Sequence, residues 1–359
     1  MVMQDCTNSY GFRVPDRKPA FEDSLSEAKY WQAEEGGSVR CGLCPRRCLI
    51  KGGELGYCGI RLNLEGALFT TVYARPAAVA VDPIEKKPLY HFHPGSKTLS
   101  VGTIGCNLKC VHCQNCDISY ARYEADVLAR TSRISAAELI ALIASTGSRG
   151  IAFTYNEPTI WVEYVLDVFA AAKEAGYYTA LVTNAYIEDK PLSDLLKVTD
   201  AYRADLKFLN PESARKIAGF ADTKIILKRI EKAVRAGAHV EVVTNIIPGY
   251  NDSPGELGQM AKWIFAECGR ETPWHLTRSF PQENWRVPPT PMETLRKAIQ
   301  IGRDAGLSHV YPGNVVGMDS DTLCPNCGAI VIERDGYSAR ARSRLPYCGQ
   351  CGYRLNIVA

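Results

Sequence analysis

From about residue 98 the chain alternates short apolar runs with amphipathic stretches, and this alternation narrows the fold more than any other feature. The runs are TLSVGTI (98–104), GIAFTYNEP (150–158), YTALVTN (178–184), AYRADLKF (201–208), HVEVVTNIIPG (239–249) and PWHLTRSF (273–280), with HVYPGN (309–314) as a candidate seventh. Between them lie stretches such as SAAELIALIAST, WVEYVLDVFAAAKEAG, IILKRIEKAVRAG and ETLRKAIQIGRDAG, several of which end at a glycine, as helices often do. Apolar strands alternating with helices predict a parallel sheet with crossover helices, an α/β fold. Six or seven such units suit a full or partial barrel of the (β/α)6 type, and a doubly wound open sheet is the competing arrangement. Polar residues crowd the C-terminal ends of the runs: Asn156 and Glu157, Thr183 and Asn184, Asp205 and Lys207, Thr244 and Asn245, and Arg278. In α/β barrels that rim carries the chemistry.

The flanks break the rhythm. Residues 1–97 read as an amino-terminal extension, 98–317 as the barrel and 318–359 as a small separate module. In the extension, FEDSLSEAKYWQ (21–32) suggests a short helix capped by Ser24, and LFTTVYARPAAVAVDPIEKKPL (68–89) reads as extended. A net charge of +3 over 359 residues, with no basic stripe, argues against a nucleic-acid partner. No apolar run reaches membrane-spanning length, and the first residues lack the apolar core of a signal peptide. A cytoplasmic protein with no membrane association is expected.

Cysteine is the outlier, with 14 residues. In a reducing compartment such thiols serve metals or catalysis rather than disulfides. Eleven of them fall into three tight clusters, Cys116 abuts the middle one, and Cys6 and Cys268 stand alone. At the carboxyl end, Cys324-x2-Cys327 and Cys348-x2-Cys351 are each followed by glycine, a pattern for one tetrahedral four-thiolate site holding zinc or iron. Near the amino end, Cys41, Cys44, Cys48 and Cys58 lie within eighteen positions and again suggest one centre, either zinc or an auxiliary iron–sulfur cluster. The middle cluster, Cys106-x3-Cys110-x2-Cys113, follows the first strand of the rhythm directly. Three thiolates on a [4Fe-4S] cluster leave one iron without a protein ligand, and an open position is what a catalytic metal centre needs. Cys116 stands near enough in sequence to complete a four-thiol set; its place in the strand–loop context marks it as a non-ligand.

CNLKCVHC after the first strand of such a barrel resembles the radical S-adenosylmethionine (SAM) superfamily. The resemblance implies that Cys106, Cys110 and Cys113 hold a [4Fe-4S] cluster whose open iron chelates SAM. Reductive cleavage of SAM then yields a 5′-deoxyadenosyl radical, with an electron donor such as flavodoxin or ferredoxin as partner. His112 matches the position that packs beside adenine, although a lone histidine equally caps a loop. TYNEP (154–158) stands where the superfamily carries its GGE-type motif, so Tyr155, Asn156 and Glu157 correspond to the residues that meet the SAM amino group. The bland alternative is an Asn-Glu-Pro turn cap. Asn184, Asp205, Lys207 and Asn245 are pocket candidates, and Ile247, with Pro248 and Gly249, matches an apolar segment that packs on adenine. None of these residues is assigned a catalytic role.

The ordered set CGLCPRRCLIKGGELGYCGIR, RPAAVAVDPIEKKPLYHFHPGS, CNLKCVHCQN, TYNEPT, VTNAY, ADLKF, IIPGYND, PWHLTRSFP, VYPGN and CPNCG narrows the resemblance. It is similar to the AmmeMemoRadiSam-system radical SAM proteins, relatives of the pyruvate formate-lyase activating enzymes, from Arg40 to Ile357. Arg46-Arg47 and Ala185 depart from the pattern, which has Pro-His and Gly there. The resemblance supplies cofactor chemistry and leaves the substrate open, whether a protein or a small molecule. Two other functions compete: transfer of a SAM fragment (aminocarboxypropyl or methyl), and a non-enzymatic adaptor held together by several zinc ions. Cys116 and Cys268 are candidate hydrogen donors or redox thiols, with a buried inert thiol the leading reading for Cys268.

Overall fold

The computed structural model describes residues 25–124, 131–282 and 285–359. Its centre is one open sheet of eight strands: β1 (Ala78–Pro83), β2 (Lys97–Gly102), β3 (Gly150–Phe153), β4 (Tyr178–Thr183), β5 (Ala201–Asp205), β6 (His239–Ile246), β7 (Trp274–Arg278) and β8 (Val310–Gly313). Strand β1 runs antiparallel to β2; from β2 to β8 every neighbouring pair is parallel, and spatial order follows chain order. A doubly wound sheet reverses its order at a switch point. The unreversed order here is that of an α/β barrel, left open because β1 and β8 are the sheet's two ends. All seven apolar runs form parallel strands, HVYPGN included. Strands β3 and β4 are buried along their whole length, as parallel strands covered by helices are.

The intervening helices follow the amphipathic stretches: Ala136–Thr146, Val162–Glu174, Thr223–Arg235 and Met292–Asp304. The first has local signals at both ends. Ser135 and Glu138 form a reciprocal capping box, and Gly147 closes the helix with φ of +64°.

The segment FEDSLSEAKYWQ is not a helix where it is described; Ser24 and the residues before it lie outside the described residues. Ser26–Glu27 pairs with Ala67–Thr70, and Trp31–Ala33 pairs with Val39–Cys41. Pairing with strands further along the chain overrides the weak helical preference of the segment. Two small three-stranded sheets result. Apolar residues in and beside these sheets, Val39, Leu43, Ile50, Ile60 and Leu68, share one buried core with Ile151, Phe153 and Leu181 of the main sheet. A buried ion pair between Arg61 and Glu163 joins the two parts.

The carboxyl-terminal segment forms a three-stranded antiparallel sheet (Thr322–Leu323, Ile330–Asp335, Ser338–Ala341) with its own small core around Val331, Ile332, Leu355 and Ile357. Arg334 anchors it. Its guanidinium donates to the Tyr90 carbonyl at 2.7 Å and lies 4.3 Å over the Tyr90 ring. No helix among the described residues is long and apolar enough to cross a membrane.

Candidate active site at the carboxyl edge of the sheet

The loop after β2 carries the middle cysteines, and its geometry is fixed from several sides. Gly105 holds φ of +83°, and a Cβ there would sit 2.5 Å from the Cys58 carbonyl, so only glycine lets the loop pass. Cys106 is buried, and its sulfur accepts from the Leu108 amide at 3.4 Å. Cys110 and Cys113 are half-buried, the amide of Cys113 bonding the Cys110 carbonyl at 2.9 Å. Burial pushes the Cys106 thiol far up and the Cys110 thiol to about 11, with Lys207 pulling Cys110 back. Thiols held neutral in this way lose their protons only to a metal.

The turn after β3 closes onto this loop. Tyr155 takes φ of +75°, a left-handed conformation unusual for a side chain of its size. Its hydroxyl donates to Asp82 at 2.8 Å, and its carbonyl accepts from Asn115 at 2.6 Å. Burial pushes the Asp82 carboxyl up, yet Lys87, Lys86 and the Tyr155 hydroxyl together hold it well below the usual carboxylate range. Asn156 donates to the Gly105 carbonyl at 2.7 Å. Glu157 is wholly buried; its oxygens accept from the Thr159 amide at 3.0 Å, the Thr183 hydroxyl at 2.7 Å and the Asn184 amide at 2.7 Å. The carboxylate therefore caps the turn that follows it and ties β3 to β4. The backbone of Tyr155 and Asn156 is left beside the cysteine loop.

The remaining predicted residues fall around the same edge. Asn184 donates to Asn107 at 2.9 Å, with Cys106 sulfur 3.9 Å away. Asp205 pairs with Lys207 at 2.6 Å and with Arg203. Burial lowers the Lys207 ammonium, but Asp205 more than reverses this and leaves it above its ordinary value. Burial, then the charge of Lys207, pushes the nearby His112 down to about 3, so its ring is neutral. The buried Nδ1 of His112 has no hydrogen-bond partner. Cys110, His112, Asp205 and Lys207 thus form one neighbourhood. Asn245 stands further round, donating to the Thr277 hydroxyl and the Arg278 carbonyl, each at 2.9 Å, and Ile247 beyond it is buried. Cys116 begins a short helix (Cys116–Ser119), its sulfur 3.8 Å from Asp117.

Several residues outside the predicted site set also shape this edge. Asn107 donates to the Tyr186 carbonyl at 2.7 Å and accepts from Asn184. Arg46 reaches the carbonyls of Asn107 and Gly219. Asp82 and Lys87 hold Tyr155 from below. Only Arg46, set between Cys44 and Cys48, carried a signal in the sequence.

A cavity of about 890 Å³ opens at the other end of the sheet. It is lined where strands begin, by Arg149, Tyr178, Asp200 and His239, and by Val358 of the tail. Cys268 lines it too, its thiol pushed up to about 12 by burial. That thiol stands at the wrong end to donate hydrogen at the cysteine rim.

At the carboxyl-terminal site the four sulfurs of Cys324, Cys327, Cys348 and Cys351 lie within 4.8 Å of one another, and the closest pairs are 3.6 and 3.7 Å apart. Four thiolates about 2.3 Å from one zinc ion would stand roughly 3.8 Å apart, so the set fits a single tetrahedral ion.

Residues 100–264 match the model of the radical SAM superfamily. The chain is 37% identical over 339 residues, 93% of its length, to an uncharacterized protein of Methanocaldococcus jannaschii, all of which is covered. The chain belongs to the radical SAM superfamily. Among characterised members it is similar to the pyruvate formate-lyase 1-activating enzyme of Escherichia coli, 25% identical over 44% of this chain and 65% of that one. The (2S)-3-sulfopropanediol dehydratase activating enzyme of Klebsiella oxytoca is 28% identical over 33% of this chain and 38% of that one. A radical SAM methyltransferase from Sphaerobacter thermophilus shares the fold, with a TM-score of 0.51 at 14% identity over 83% of this chain and 80% of that one. Radical SAM proteins bind an iron–sulfur cluster and SAM, and the donor set after β2 suits both: three thiols on one loop and an unpartnered imidazole nitrogen beside them.

Proposed function

We propose that this chain is a radical SAM enzyme of the AmmeMemoRadiSam type that modifies or activates a protein or small-molecule substrate. One observation carries the proposal: Cys106, Cys110 and Cys113 share a single loop at the carboxyl edge, with the turn at Tyr155–Glu157 closed onto it. A [4Fe-4S] cluster held by these three thiolates supplies an open iron for SAM and the electron that breaks a C–S bond to give the 5′-deoxyadenosyl radical.

The chain's own residues bind and orient. The backbone of Tyr155 and Asn156 faces the SAM amino group. Glu157 acts through the turn it holds, because its oxygens are already taken by protein donors. Neutral His112 packs beside the adenine and offers its free Nδ1 to it. Ile247, with Pro248 and Gly249, gives the adenine an apolar wall. Asn184, Asp205, Lys207 and Asn245 line the pocket, the Asp205–Lys207 pair presenting charge toward polar substrate groups. The 318–359 module carries zinc or iron in a closed structural site, flanking a barrel over 98–317 and an extension over 1–97. Electrons come from a flavodoxin- or ferredoxin-like donor in the cytoplasm.

The test is anaerobic. The protein is reconstituted with iron and sulfide, reduced with dithionite and given SAM, and the nucleosides are identified by mass spectrometry. Release of 5′-deoxyadenosine that disappears in Cys110→Ala is the expected result. Methylthioadenosine or S-adenosylhomocysteine in its place would replace this reaction with fragment transfer. Intact SAM, with zinc the only metal bound, would overturn the enzyme assignment.

A further inference from the structure

The four amino-terminal cysteines lie directly against the loop after β2. Cys41, Cys44, Cys48 and Cys58 line one small cavity, together with Ile50, Arg61 and Asn107. The loop that carries them is internally braced: the Cys41 amide bonds the Cys48 carbonyl at 3.0 Å, and the Arg47 amide bonds the Cys44 carbonyl at 3.1 Å. All four therefore face a space they share.

Two further features say what that space is for. The first is charge. Arg61 is 1% exposed, its Nη1 lies 3.8 Å from the Cys41 sulfur, and its Nε has no hydrogen-bond partner. Glu163 meets this guanidinium on one side; on the other, its unused Nε and its Nη1 beside Cys41 leave donors on the wall of the four-thiol cavity that metal-bound thiolates would accept. The second is size. Among the described residues, only the carboxyl-terminal cysteines bring their ligand atoms within 4.8 Å of one another. No three of the amino-terminal four are drawn together to that degree, whereas one tetrahedral zinc ion would hold its thiolates roughly 3.8 Å apart. A cluster of several iron and sulfide atoms spreads its cysteines further.

The site also adjoins the loop after β2 closely. Asn107, next in chain to Cys106, is part of the cavity wall. The Cys58 carbonyl presses on Gly105, and Arg46, two residues beyond Cys44, grips the Asn107 carbonyl. We propose that Cys41, Cys44, Cys48 and Cys58 hold a second iron–sulfur cluster, separate from the SAM site and divided from it by Asn107.

The test counts iron and acid-labile sulfide per chain in the full-length protein, anaerobically reconstituted, alongside zinc. A mononuclear four-thiolate iron contains no sulfide, so the carboxyl-terminal site does not disturb the count. In the variant C106A/C110A/C113A, about two to four sulfides and a brown colour remain. Adding Cys44→Ser and Cys48→Ser removes both, while adding Cys324→Ser and Cys327→Ser to the triple variant leaves them. Far-ultraviolet circular dichroism checks that each variant is folded. The wild-type count stands apart from any folding defect and exceeds that of the triple variant by about four sulfides. A triple variant without sulfide, carrying a second equivalent of zinc, overturns the proposal. The outcome is independent of SAM cleavage: a chain that leaves SAM intact but keeps its sulfide in the triple variant refutes the proposed enzyme function and supports the second cluster.

Discussion

Ala185, two residues beyond the end of β4, holds φ of +58°. A Cβ in the left-handed region costs roughly 1–2 kcal/mol, partly offset because glycine loses more chain entropy on folding. Ala185→Gly is therefore expected to stabilise the protein by about 0.5–1 kcal/mol, read as a higher urea midpoint; a lower midpoint would show that the conformation is not strained. Glu157 makes the opposite case. Three donors converge on its buried carboxylate, and a glutamine there must turn its own NH2 against at least one of them. Glu157→Gln should cost about 1–3 kcal/mol of stability. An unchanged midpoint would mean that the carboxylate is not the junction between β3 and β4 described above.

The elements of the sheet were legible because each announces itself locally. Seven apolar runs gave seven parallel strands, and Ser135, Glu138 and Gly147 marked one helix at both ends. The amino-terminal strands were not legible: Ser26–Glu27 is two residues long, and its partner lies some forty positions away. The cysteine sets were legible by spacing, but what braces them was not. Arg46 is held by two backbone carbonyls, which leave no trace in a sequence, and Asp82 meets Tyr155 across 73 positions. The carboxyl-terminal site allows a test at this scale. Its two knuckles are alike: the Gly328 amide bonds the Cys324 carbonyl and the Gly352 amide bonds the Cys348 carbonyl, both at 2.9 Å. C327S/C351S should release one metal ion per chain and expose residues 318–359 to proteases, with the sulfide content of the rest unchanged. Retention of the metal would rule out a four-thiolate site.

Across the whole molecule, ionisable groups collect at the end of the sheet away from the cysteine loop. His91, His275 and His309 are buried there, and burial pushes each ring below its ordinary value, His309 to about 4. Folded, they are neutral; unfolded, they protonate below about pH 6.5. The unfolded chain then binds more protons, so stability falls as pH drops from about 6.5 towards 4, by up to about 1.4 kcal/mol per pH unit for each histidine. Glu241 works in the same sense at lower pH. Burial pushes its carboxyl up, but His239 and His275, at 3.0 and 2.7 Å, more than reverse this, and that support is lost as the carboxyl protonates. Urea midpoints measured at about pH 7 and about pH 5.5 check the sign, and equal midpoints would contradict it. The fastening of the amino-terminal cysteine loop also has a consequence for biosynthesis. Arg61 finds its partner Glu163 102 residues later, and Arg46 finds Gly219 173 residues later. At about 5–20 residues per second, the loop made first on the ribosome waits on the order of ten to thirty seconds for its last clasp. For that interval its four thiols lie open to oxygen and to whatever delivers metal, so loading and protection of this loop are tasks for the nascent chain's escorts as well as for the finished fold.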